Sequence, residues 1–235
     1  MGANPKSGMH RVWKELGAVQ GRQFVAPEEF SRYEARDGQS VIFCSDVDRF
    51  ERHLIELAPQ DAGIIKDLTQ GIRRLAGMDM PVDADPIGML RLAPRMIPAM
   101  GYMKKYGPIH MRDYANRFSS PLLREAMASV ADLPDYPALG LLMPLALRSA
   151  GNGGYPLGGS LAFSEAIARQ VIAALGERFP GIGEQVEVVD VATPMTYERY
   201  TGNWRASFEG WLISTRTMPM MMSGQWTTIG GAPGG

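Results

Sequence analysis

The sequence lacks paired cysteines, an excess of either charge and any long apolar run. Its one cysteine, Cys44, excludes an internal disulfide, and no signal-like segment opens the chain, so a reducing, cytoplasmic setting is predicted. Lys and Arg number 24 against 25 Asp and Glu, which gives no electrostatic basis for binding nucleic acid. The apolar stretch 136–147 contains two prolines and is shorter than the roughly 20 residues that span a bilayer. We therefore predict a cytoplasmic globular protein that does not bind DNA or RNA.

Motifs for metal binding and for nucleophilic catalysis are also lacking. His53 and Glu56 stand one helical turn apart, but no third ligand accompanies them, so they indicate a solvated helix face rather than a metal site. Ser160 lacks the last glycine of a nucleophile elbow, and we interpret it as a helix N-cap. Cys44, in an apolar strand, is predicted to be a small buried hydrophobe. The sequence thus names no metal ligand and no catalytic base or nucleophile.

A dinucleotide-binding turn is absent as well. Such a turn has the pattern G-x-G-x-x-G between a strand and a helix, where backbone N–H groups hold the diphosphate. Gly151 and Gly153 are followed by Pro156 where the third glycine belongs, and Gly181 and Gly183 are followed by a valine. No complete Rossmann unit is therefore predicted.

The patterns that are present predict an α+β fold that is mostly helical, with small hairpin or sheet elements. Apolar and polar residues alternate from Phe24 to Cys44 around Asp37-Gly38, which predicts a hairpin. Asp46 is predicted to cap a helix with Val47, Phe50, Leu54 and Leu57 on one face, and a second helix opens at Pro59.

Further helices are predicted along the rest of the chain. Prolines at 94 and 98 predict breaks or kinks, and hence short helices, within 89–103. Helical spacing predicts helices over 113–118, 120–130 and 138–149. The helix that begins at Ser160 carries an apolar stripe that ends at Pro180-Gly181, and residues 186–191 alternate like a strand. We predict that these helices pack as a bundle.

The C-terminal part is rich in aromatic residues and glycine. Thr193 to Trp211 holds Arg199, Tyr200 and Trp204, and a second cluster surrounds Trp226. By residue type alone, an ordinary turn over a hydrophobic core is the commoner explanation of such clusters.

Three ordered segments nevertheless resemble motifs of FAD-dependent phytoene desaturase and carotenoid isomerase-like oxidoreductases. Thr193 to Trp211 is similar to the family's T-P-x-T-x-x-R-Y-T-G-x-x-x-G-x-x-x-G-W, with Ala206 in place of a glycine. Residues 154–163 are similar to G-Y-P-x-G-G-S-L-x-F, and residues 223–233 to a closing flavin motif, A-G-Q-W followed by a glycine-rich segment.

The resemblance implies a lipophilic, polyene or lipid-like substrate and FAD as cofactor. It implies a substrate-binding, lid-like helical region over 1–159, and over 160–235 a helix, a strand and a flavin-edge motif. It names no catalytic residue. The residues that it implies for FAD are Gly158, Gly159, Gly224, Gln225, Trp226, Gly230 and Gly231. The residues that it implies for substrate are Tyr155, Pro156, Arg199, Tyr200, Trp204 and Trp211.

The match departs from the family in its extent. The opening dinucleotide motif and a middle segment are missing, so we expect a shortened relative or a portion of such an enzyme. The alternatives are a carrier module that binds apolar ligands without redox activity, and an engineered or incomplete chain. The 16 methionines fit flexible core filler or, alternatively, an apolar tunnel, with the 89–103 region in peripheral contact with a membrane.

Overall fold

The computed structural model describes residues 2–78, 86–130 and 136–186 of the chain. In these ranges it contains eight α-helices and two antiparallel two-stranded sheets, which confirms the predicted mostly helical α+β class. The helices are α1 (Gly8–Glu15), α2 (Val47–Leu57), α3 (Ala62–Ala76), α4 (Pro86–Tyr106), α5 (Met111–Ala115), α6 (Pro121–Ser129), α7 (Leu139–Ser149) and α8 (Gly159–Arg178). The strands are β1 (Phe24–Val25), β2 (Glu29–Glu34), β3 (Ser40–Cys44) and β4 (Tyr155–Pro156).

The predicted hairpin is confirmed as the β2–β3 pair. Its turn contains Gly38 at a φ of 88°, a conformation that favours glycine, and Asp37 Oδ1 accepts the backbone N–H of Gln39 at 3.0 Å. Phe43 and Cys44 are both buried. Burial raises the pKa of the Cys44 thiol, so the thiol stays protonated and acts as a small hydrophobe, as predicted.

Helices α2, α3 and α7 form the centre of the core. Asp46 caps α2 by accepting the backbone N–H of Arg49 at 2.7 Å, and Phe50 and Leu54 are fully buried. Gly71 of α3 lies against α7 so closely that an added Cβ would stand 2.9 Å from a methyl group of Leu142. A larger residue at this position would therefore require the side chain of Leu142 to move.

A buried carboxylate ties the start of α3 to the start of α6. Asp61 ends the 3-10 turn Pro59–Asp61 that leads into α3, and it is 4% exposed. Its two oxygens accept the backbone N–H groups of Ser119 and Ser120, each at 2.8 Å. Ser120 in turn caps α6. Hydrogen bonds to a charged acceptor contribute about 1.5–3 kcal/mol each, so this junction is firmly held.

The expectation of short helices around the two prolines is wrong. Helix α4 runs without interruption through Pro94 and Pro98. A proline removes the hydrogen bond to the carbonyl four residues before it, and because these prolines are four apart, both losses fall on one side of the helix. Neither proline is buried. The last turn is anchored by Tyr106, whose hydroxyl donates to Asp67 at 2.6 Å.

Strands β1 and β4 form the second sheet, and β4 leads into α8. Phe24 pairs with Pro156 and Val25 with Tyr155, so residues 24–25, predicted as part of the hairpin, belong to a separate sheet. Trp13 of α1 packs edge-on against Phe163 of α8, with ring centroids 5.3 Å apart. No residue of α8 is buried, although its apolar composition is typical of a buried helix.

Two predictions on chain organisation have no structural outcome. The predicted strand 186–191 falls beyond the described residues except at its first position. The division at 159/160 stays a prediction. Among the described helices, none combines the length and the apolar character needed to cross a membrane.

Candidate functional site

The candidate site is the turn from β4 into α8, which carries one of the three family-like segments. Gly158 and Gly159 have φ values of 93° and 80°, both in the left-handed region that residues with a Cβ avoid. A Cβ on Gly159 would meet nothing within 4 Å, so the backbone of this turn is open on that side. A flat group can therefore approach it closely.

The start of α8 differs from the prediction. The helix begins at Gly159 with Gly158 as its N-cap, and no side chain accepts a hydrogen bond there. Ser160 is thus within the first turn, and its predicted capping role is wrong, because the two left-handed glycines start the helix one residue earlier. The first N–H groups of α8 lack a capping side chain, which leaves the positive end of the helix dipole open to an acceptor.

Arg22 holds this turn in place through hydrogen bonds to backbone carbonyls. Its Nη1 donates to the carbonyl of Leu157 at 3.1 Å and its Nη2 to the carbonyl of Ala162 at 3.0 Å, while Nε donates to the carbonyl of Ala18 at 3.1 Å. Its guanidinium also lies 5.9 Å from the ring centroid of Phe163. The sequence analysis missed Arg22, because a contact across about 140 positions leaves no local pattern.

Arg148, in the last turn of α7, is the second site residue that the sequence analysis missed. Its guanidinium carbon lies 5.3 Å from the ring centroid of Tyr155. Its Nη1 is buried without a hydrogen-bond partner. A Cβ on Gly153 would stand 3.1 Å from Cδ of this arginine, so glycine at 153 leaves the room that the side chain occupies. The signal in the sequence was only an arginine close to the G-Y-P segment.

Apolar side chains are exposed around the turn. We call Val25, Tyr155, Leu157 and Leu161 the apolar strip; Tyr155 is 64% exposed and Leu161 61%. Val25 and Tyr155 are cross-strand neighbours, and Leu157 follows two residues after Tyr155. Contiguous exposed apolar surface is typical of ligand or partner sites. The strip lies beside the cationic Arg148, so the surface combines an apolar and a positive part.

The structure brings four of the predicted site residues together in this turn: Tyr155, Pro156, Gly158 and Gly159. The others lie outside the described residues. They are Arg199, Tyr200, Trp204, Trp211, Gly224, Gln225, Trp226, Gly230 and Gly231.

The described residues fit only one end of the FAD that the resemblance implies. The open Gly158-Gly159 turn can face a flat ring. The strands within the described ranges form only antiparallel pairs, so these ranges contain no parallel strand–helix unit of the kind that holds a diphosphate. The nucleotide end of FAD therefore does not fit this part of the chain. Within the same ranges, no three His, Cys, Asp or Glu side chains are grouped so as to hold a metal ion.

A cleft of about 190 Å³ lies elsewhere, between β3 and α2. His53 lines it and is partly buried; its Nε2 accepts the backbone N–H of Ile42 at 2.9 Å. His53 is therefore less solvated than predicted, because its imidazole supports the edge of β3, whereas Glu56 is exposed as predicted. Burial lowers the pKa of His53. The hydrogen bond gives this histidine a structural role.

Comparisons of the chain with models of protein families, with curated proteins and with solved structures gave no match.

Proposed function

We propose that this chain is the substrate-binding part of an FAD-dependent oxidoreductase of the desaturase or isomerase-like type, acting on a lipophilic, polyene or lipid-like substrate. One observation carries the proposal. The segment 154–163, on which the resemblance partly rests, forms an open turn of two left-handed glycines with exposed apolar side chains beside it.

The geometry supports binding and orientation of an elongated apolar molecule. Tyr155 and Leu157, two apart at the end of β4, and Leu161 in the first turn of α8 offer apolar contacts, each worth about 25 cal/mol per Å² of surface removed from water. Gly158 and Gly159 present backbone without side chains, so a planar group can lie against them. Arg22 holds the turn through backbone carbonyls on both of its sides.

A carrier without redox activity is the second candidate. The observation that favours it is the misfit between the described residues and the nucleotide end of FAD. Both candidates bind the same class of ligand at the same turn, and they differ only in the cofactor.

Two measurements on the full chain separate the candidates. The first is the absorption spectrum after incubation with FAD and gel filtration. The second is fluorescence titration with the methyl ester of cis-parinaric acid, a neutral polyene. Retained flavin absorption together with polyene binding supports the oxidoreductase, and polyene binding without flavin supports the carrier. If neither this ester nor its parent acid binds, both candidates are wrong.

A pair of variants tests the location of the site. Leu161→Glu places a charge on the apolar strip and should weaken ester binding about tenfold or more, since burying a carboxylate beside an apolar ligand is unfavourable. Val171→Glu introduces the same charge at another exposed apolar position of α8 and should leave ester binding unchanged. Equal effects of the two variants would contradict a site at the turn.

A further inference from the structure

We propose that Arg148 receives the carboxylate of an elongated apolar acid, whose chain then lies along the apolar strip. The inference rests on the proposed function and narrows its substrate class from lipophilic molecules in general to long-chain, polyene-type carboxylic acids.

The first step is a hydrogen-bond donor of Arg148 that lacks an acceptor. Within the described ranges the buried Nη1 of this arginine has no hydrogen-bond partner, and its guanidinium faces the ring of Tyr155. By contrast, Arg73 donates to Asp48 at 2.6 Å and to Glu51 at 2.8 Å. A buried guanidinium N–H without an acceptor is unfavourable, so an external acceptor would stabilise this site.

The second step is the shape of the site. Arg148 belongs to the last turn of α7 and is partly exposed as a residue, whereas its Nη1 is buried, so a carboxylate reaches that nitrogen only when the ring of Tyr155 moves aside. The ring of Tyr155 lies over the guanidinium carbon and is itself largely exposed, so it can be displaced at little cost. A guanidinium presents parallel N–H groups that match the two oxygens of a carboxylate.

The third step is that the cationic Arg148 and the apolar strip are adjacent. Tyr155 contacts Arg148 and is also a member of the apolar strip, so the cation borders the exposed apolar surface. A molecule with an anionic head and a long apolar tail satisfies both parts at once. A single guanidinium matches the single charge of a carboxylate, whereas a phosphate carries about −1.5 to −2 at neutral pH and would be only partly neutralised.

The test compares head groups on the full chain. Wild-type protein is titrated with cis-parinaric acid and with its methyl ester, and the bound acid is displaced with laurate and with dodecyl phosphate. We expect the acid to bind about tenfold more tightly than the ester, the ratio that one charge-assisted hydrogen bond provides. We also expect laurate to displace the acid better than dodecyl phosphate does.

Variants test whether Arg148 causes the preference for the acid over the ester. Arg148→Gln should abolish the acid-to-ester preference while ester binding persists, and Arg148→Lys should retain part of it. Arg169→Gln is the matched control, because Arg169 is an exposed arginine of α8 with only a 3.9 Å pair to Glu165; it should keep the wild-type ratio. Circular dichroism verifies that each variant is folded, and the wild-type ratio tests the inference even if Arg148→Gln does not fold.

The outcomes separate this inference from the proposed function. Equal binding of acid and ester by wild-type protein overturns the inference and leaves the proposed function standing. An acid preference that survives in folded Arg148→Gln overturns the role of Arg148, and stronger displacement by dodecyl phosphate overturns the choice of carboxylate. Failure of both probes to bind overturns the proposed function itself.

Discussion

Acidification is expected to destabilise the protein through one histidine of α2. Nε2 of His53 accepts the backbone N–H of Ile42 at 2.9 Å, and an imidazolium cannot accept this bond. Burial, as the largest cause, holds the pKa of His53 below its ordinary value of 6.5; Glu56 opposes the shift and Arg49 adds to it. The folded state therefore requires the neutral imidazole.

The sign of the pH dependence follows from this lowered pKa. The unfolded chain binds the proton more readily than the folded one, so the stabilisation is complete above about pH 6.5 and is lost as the pH falls through the lowered folded value. One hydrogen bond contributes about 0.5–1.5 kcal/mol, and leaving the Ile42 N–H without an acceptor adds to the loss. Because His53 is only partly buried, water offsets some of that cost. We expect a total of about 1 kcal/mol.

Urea denaturation at about pH 7.5 and about pH 5 measures this loss against a variant that cannot titrate there. In His53→Gln the amide oxygen can still accept the Ile42 N–H, so the stability advantage of the wild type should shrink on acidification. His10→Gln is the control, since Nδ1 of His10 donates to the Gly2 carbonyl at 2.7 Å, a bond in which the imidazole is not the acceptor. Parallel pH profiles of wild type and His53→Gln would refute the reasoning.

Three further predictions follow from the packing. Asp61→Ala should cost about 3 kcal/mol in urea denaturation, because two backbone N–H groups lose a charged acceptor, and a cost below about 1 kcal/mol would argue against the junction. Gly71→Ala should lower the free energy of unfolding by about 1–3 kcal/mol through the clash with Leu142. Gly63→Ala, with nothing within 4 Å of the added Cβ, should stabilise α3 by up to about 1 kcal/mol. Equal effects of the two variants would contradict the close contact of α3 with α7 at Gly71. Arg22→Lys should speed amide hydrogen exchange in α8 and not in α3. An equal increase in both helices would contradict a local role of Arg22 at the turn before α8.

Local signals in the sequence were sufficient for the central elements. Asp46 before an apolar face predicts a capped helix because the cap and the face need only neighbouring residues, and α2 forms as predicted. The Asp37-Gly38 turn is equally local, since its left-handed glycine follows from the dipeptide itself.

Two errors had physical causes beyond propensity. The prolines of α4 were expected to end the helix, but a spacing of four confines both lost hydrogen bonds to one side. Ser160 was given the cap because serine favours that position, yet Gly158 and Gly159 already take left-handed conformations that start the helix before it.

The candidate site was only half predictable. Tyr155, Pro156, Gly158 and Gly159 are contiguous, so a motif can identify them. Arg22 and the pairing of β1 with β4 depend on contacts between residues 130 or more positions apart, and no period or spacing in the sequence encodes such contacts.

The distribution of packing favours the proposed ligand site at α8 over a site in the core. The contact between α3 and α7 is close at Gly71, where an added Cβ would stand 2.9 Å from a methyl group of Leu142. Helix α8 buries none of its residues and is held to the described body chiefly by the Trp13–Phe163 contact, β4 and the Arg22 hydrogen bonds. An element with little buried surface opens at low free energy. A ligand that covers the apolar strip therefore gains contact area without displacing packed side chains, and substitutions on the strip can alter binding while the α2–α3–α7 core keeps the protein folded.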